Sequence, residues 1–145
     1  MKYSFFSLLL IVSAVACRKP VGCDVCPSEI VVDSTLETLS KHNWTIYRLD
    51  MNGLDVFGLV IPTCQQDDSY RFFKDSVMSQ YDNNNKCAGN SDSTNSHWQF
   101  YNGTKSLIAT VFGTTDTAQI ESITGSELKL SLDYNGNPAI IYFKK

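Results

Sequence analysis

Histidine is nearly absent from this chain: His42 and His97 are the two it has. With so few imidazoles and no Gly-x-Ser-x-Gly segment, no acid–base or nucleophilic apparatus announces itself. A Ser-His-Asp set assembles in space rather than along the sequence, so this narrows the enzymatic readings without closing them. Long apolar runs are missing too. Nothing after the first dozen residues approaches the roughly 20 apolar residues of a membrane-spanning helix. Basic charge is thin and scattered, 12 Lys and Arg against 15 Asp and Glu, which removes the clustered footprint of a nucleic-acid binder. No Asp-x-Asp-x-Asp-Gly loop accompanies the pair Asp67-Asp68, so the expectation there is a solvated turn leading into a strand, with no metal site and no cofactor.

What is present begins at the N-terminus. Lys2 supplies a positive charge, residues 4–12 are almost entirely apolar, and Ser13-Ala14-Val15-Ala16 places small residues ahead of Cys17. This resembles a bacterial lipoprotein signal peptide. The resemblance implies a leader over 1–16 and a product beginning at Cys17 that carries lipid, palmitate included, on that sulfur. It places the protein in the bacterial cell envelope, held to a membrane by its anchor. Removing the leader takes Lys2 away and makes the product one charge more negative than the −3 of the whole chain. That charge favours solubility and names no partner.

In an oxidising compartment the remaining cysteines, Cys23, Cys26, Cys64 and Cys87, form an even set with three pairings. Cys64–Cys87 inside the domain and Cys23–Cys26 near the anchor is the favoured one. Cys23-Asp24-Val25-Cys26 also has the spacing of a redox pair or half a zinc site. A redox pair, however, opens a helix in a mixed α/β domain, and a closed zinc site needs two further ligands.

Residues 17–32, interrupted by Pro20, Gly22 and Pro27, read as a tether, and 33–145 as the folded domain. Ser34 and Glu37 have capping-box spacing, and Leu36 and Leu39 share one face of a short helix. From Trp44 the pattern turns to period two. It predicts strands over 44–49, 54–61, 69–73, 76–81, 97–101, 106–112, 117–124, 128–133 and 139–143, with a polar, asparagine-rich loop over 82–96. Asn52-Gly53, Asn102-Gly103, Gly125-Ser126 and Asn135-Gly136 punctuate them as turns. Eight or nine short strands in succession suit an antiparallel up-and-down barrel of about eight strands, an all-β fold that leaves no edges, with a two-sheet sandwich as the alternative.

Trp44, Asn52-Gly53, the segment Cys64-Gln65-Gln66-Asp67-Asp68-Ser69-Tyr70-Arg71-Phe72, then Cys87 and Trp98, resemble the lipocalin-like domain of small bacterial lipoproteins. The stretch 103–107, followed by 120–123 and 128–130, is similar to that family's closing strands. The resemblance spans roughly 40–143 and implies a lipocalin-like barrel with no common ligand. A barrel of this kind takes a small, partly apolar ligand, and Trp44, Phe72, Trp98 and Phe100 are the candidate lining residues. The alternative is a filled barrel that meets an envelope protein partner through its loops, above all 82–96. Both readings are non-enzymatic.

Overall fold

In a computed structural model, which describes residues 34–111, 113–134 and 136–145, the alternation that starts at Trp44 becomes strand β1 (Asn43–Met51). Trp44, Ile46 and Leu49 are buried along it. The step from Ile46 to Leu49 is three residues because a bulge shifts the register between Ile46 and Arg48. Two residues then oppose one, so Tyr47 and Arg48 both stay exposed and Leu49 returns to the inside. The predicted leader 1–16 and tether 17–32, with Cys17, Cys23 and Cys26, lie outside the described residues.

Asn52 and Gly53 both adopt positive φ, 51° and 80°, as a two-residue hairpin turn of the inverted type requires. The return strand is far shorter than the predicted 54–61. β2 (Leu54–Asp55) pairs with β1 at two positions, and the chain then makes one helical turn, α2 (Phe57–Val60). The cause is local. The Asp55 carboxylate accepts the backbone N–H of Phe57 at 3.0 Å, an Asx turn that competes with the strand. Val60 and Ile61 then donate back to the carbonyls of Val56 and Phe57. A 3₁₀ turn (Thr63–Gln65) follows.

The remaining strands are β3 (Ser69–Phe72), β4 (Val77–Tyr81), β5 (Ser93–Tyr101), β6 (Ser106–Val111), β7 (Thr114–Ile123), β8 (Glu127–Tyr134) and β9 (Asn137–Lys144). Each pairs antiparallel with the next, and β1 pairs with both β3 and β9, so β1 and β3–β9 close into an eight-stranded barrel. The expected all-β antiparallel barrel with a short N-terminal helix is therefore the fold. β5 starts at Ser93 rather than 97, and β7 at Thr114 rather than 117. Their polar first residues carry no hydrophobic alternation; Ser93, Thr94 and Asn95 are held by pairing with Tyr81, Gln80 and Ser79.

The barrel's two ends differ. Helix α1 (Ser34–Lys41) packs at the end where β1 begins, with Leu39 fully buried and its carbonyl accepting the Trp44 indole N–H at 2.9 Å. Above it the interior is aromatic. Phe72 meets Trp98 edge-to-face at 5.4 Å, Trp98 meets Phe100 at 5.1 Å, and Tyr70 meets Phe143 at 6.1 Å. Each fully buried ring of this size contributes roughly 1.5–3 kcal/mol, and the Trp98 indole N–H is satisfied by the carbonyl of Phe73 at 2.9 Å. Elsewhere the interior mixes aliphatic side chains such as Leu107, Leu130 and Ile141 with the small Ala109, Ala118 and Ala139, all buried.

Candidate functional site

The end opposite α1 carries four connections: residues 52–68, residues 82–92, and the turns around Gly113 and Gly136. A disulfide joins the two long ones at Cys64 and Cys87, the pairing favoured from sequence. The asparagine run beside it is not a loose loop. Asn84 and Asn85 donate their backbone N–H groups to one oxygen of Asp67 at 2.9 and 3.1 Å, and the Asn85 side-chain amide donates to the carbonyl of Thr63 at 2.7 Å. Lys86 pairs with Asp92, and the Asp82 N–H donates to the carbonyl of Asp92 at 3.0 Å, closing the neck of the second loop.

Against this scaffold lies a cavity of about 260 Å³. Leu49 of β1, Leu132 and Tyr134 of β8, and Ala139 and Ile141 of β9 form its barrel wall; Val60, Ile61, Pro62 and Gln65 form its outer side. A water takes about 30 Å³, so the space holds on the order of ten non-hydrogen atoms. A second space of about 40 Å³ shares Leu132, Tyr134 and Ile141 with it and continues along β6 and β7, where Leu107, Ala109, Ala118 and Asp116 line it. The lining is mostly apolar with a few polar groups, the composition of small-molecule sites generally.

The electrostatics of this end are acidic. Asp68 is 3 % exposed, which corrects the expectation of a solvated turn. One of its oxygens accepts from the Gln80 amide at 2.7 Å, and the other is buried without a hydrogen-bond partner among the described residues. Both carboxylate oxygens of Asp82 are in the same condition. Burial, then the nearby charges of Asp82 and Asp67, push the Asp68 carboxyl above the usual range, against the pull of the Gln80 hydrogen bond. Burial, followed by the Asp68 charge, also raises the Tyr70 phenol. Among the described residues no set of three or more His, Cys, Asp or Glu side chains is arranged to hold a metal ion.

The four residues expected to line a ligand site are packed elsewhere. Trp44, Phe72 and Trp98 are buried in the aromatic interior, with Phe100 half-buried against Trp98, and none of them lines either space. His42 stands beside Trp44 with Lys145, Lys41 and Arg71 around it, and its pKa is lowered by desolvation first and by those charges second. His97 is exposed on β5. Neither lines the cavity. Leu132, Ala139 and Ile141 fall on expected strands, whereas period two put Arg48 inward and Leu49 outward, and the bulge after Ile46 reverses the two. Nothing in the sequence separates a residue facing space from one facing a neighbour. No protein-family model and no curated protein matches the chain, so geometry carries the functional reading.

Proposed function

We propose that this chain is a membrane-tethered, lipocalin-like lipoprotein that binds or carries a small, partly apolar ligand at the loop end of its barrel, without catalysing a reaction. The observation that carries this reading is the cavity of about 260 Å³, walled by Leu49, Ile61, Leu132, Ala139 and Ile141 and held open where inward side chains are small. The ligand partitions into it from water; area removed from water contributes about 25 cal/mol per Å² before the costs of association. Gln65 and Tyr134 supply polar atoms that orient it.

Calorimetric titration with 1-octanol, a neutral probe of matching size, tests the binding half. A saturable one-to-one heat with a negative heat-capacity change supports it; no saturable binding removes it. For the tether, the mass of the membrane-extracted protein should exceed that of the 17–145 polypeptide by an acylated glyceryl group. A free Cys17 thiol removes the anchor.

A second reading, a protein-binding envelope module, is favoured by a separate observation. Leu54 and Leu59 are 70 % and 86 % exposed, and Val60, which lines the cavity, is exposed too. Such a lip suits a protein contact as well as a ligand entrance. Leu59→Asp should then abolish capture of an envelope partner while leaving octanol binding intact.

A further inference from the structure

The reading of the loop end as a ligand site leaves open which chemistry it selects, and the charges around the cavity bear on that. Asp116 sits on β7 two residues from Ala118, which is buried in the barrel, and opposite Ala109 of β6. The same alternation turns Asp116 inward, where it lines the smaller space among Leu107, Ala109, Ala118 and Leu130. It is the one charged residue lining either space, and it makes no hydrogen bond or ion pair among the described residues. Among the described residues neither Lys nor Arg lines the cavity to balance it.

We propose that the site takes a protonated primary amine bearing a short apolar body, its ammonium on the Asp116 carboxylate and its body in the space walled by Leu132, Tyr134 and Ile141. This rests on the ligand-binding reading above. It deepens that reading by ranking neutral and anionic ligands below the amine.

An anionic amphiphile would bring its carboxylate to an end that already holds Asp116, the buried Asp68 and the unpaired oxygens of Asp82. Like charges in a partly desolvated site oppose one another, and Lys86, the cation near Asp82, is already paired with Asp92. A neutral ligand fills the apolar space but strips water from Asp116 and gives nothing back, so desolvation of that carboxylate counts against it. An ammonium replaces the lost water with a charge-assisted hydrogen bond. Shape and burial favour a small apolar body; the carboxylate then selects the cation.

The test is a calorimetric series on the purified protein at pH 7 with three probes of one size: octylamine, 1-octanol and octanoate. Octylamine should bind at least tenfold more tightly than 1-octanol, and octanoate most weakly. In Asp116→Asn, close to the native residue in shape, octylamine should lose its advantage over 1-octanol, and 1-octanol should bind at least as tightly as before because no carboxylate is stripped of water. Equal affinity of amine and alcohol in the unaltered protein overturns the amine preference and leaves the carrier reading standing. An amine preference that survives Asp116→Asn overturns the role of Asp116. Failure of all three probes to bind overturns the carrier reading as well. Raising the salt concentration adds a check that folding defects would not mimic: the octylamine advantage should shrink with salt, and 1-octanol binding should not.

Discussion

Cys64 and Cys87 bring their Cα atoms to 5.0 Å across a sequence separation of 23, joining the two long connections of the loop end. Closing a loop of that length removes unfolded-state freedom worth roughly 3 kcal/mol on the chain-entropy model. The double substitution C64S/C87S should therefore lower stability by about 2–4 kcal/mol in urea denaturation. Non-reducing peptide mapping should find the two cysteines in one linked fragment; another partner for Cys64 would contradict the assignment.

The helix end depends on Leu39, whose side chain is fully buried and whose carbonyl takes the Trp44 indole N–H. Leu39→Ala should cost about 2–5 kcal/mol. Trp44→Phe keeps most of the apolar contact but leaves that carbonyl unpaired, at about 1–3 kcal/mol. Equilibrium unfolding by far-UV circular dichroism reads both; no loss in either variant would contradict the described packing.

Asp68 gives a pH dependence whose sign follows from its surroundings. Burial and the charges of Asp82 and Asp67 raise its carboxyl in the folded protein above the unfolded value. The folded state therefore carries a penalty at neutral pH, relieved as pH falls through the raised value and gone below the ordinary carboxylate range. Asp68→Asn removes the charge and keeps an acceptor for Gln80. It should be more stable than the unaltered protein at pH 7.5, with the gap closing toward pH 4. Hydrogen bonds from Arg48 and Lys86 lower Asp50 and Asp92 and bend both stability curves the other way in the acid range, so the difference between the two proteins is the readout. A gap independent of pH would contradict the account.

Much of the barrel was legible because its strands alternate. Trp44 and Ile46, Leu128 and Leu130, and Ala139, Ile141 and Phe143 mark inward positions at period two, and Asn52-Gly53 marks the first hairpin. Two features were not. The segment after Leu54 is as apolar as a strand, and the outcome turned on one carboxylate, Asp55, capturing the Phe57 N–H. The polar start of β5 carries no hydrophobic signal, since it is fixed by its neighbour strand.

The candidate site was less legible still. Large aromatics draw attention as a ligand lining, yet Phe72, Trp98 and Phe100 satisfy one another edge-to-face and fill their own volume. Space opens beside residues without bulk, Ala139 above all, and alanine in a strand gives no sign of what faces it. Asp116 falls before the expected strand 117–124; its place on β7 and its inward direction follow from the register with Ala109.

Ala139 lines the cavity and is 2 % exposed, so adding bulk there occupies the ligand's volume. Overpacking of this kind costs about 1–3 kcal/mol, which a barrel with an adjoining space can absorb. Ala139→Leu should fold and fail to bind 1-octanol, as circular dichroism and calorimetry on the same sample would show. A folded variant with undiminished binding would place the ligand elsewhere.

Native mass spectrometry of the protein from a native-like extract, alongside Ala139→Leu prepared in the same way, tests the central claim most directly. A ligand-carrying barrel should show a reproducible small-molecule mass on the unaltered protein, lost on unfolding and missing from the variant. A clean ligand-free mass in both, or the same added mass in both, would contradict it.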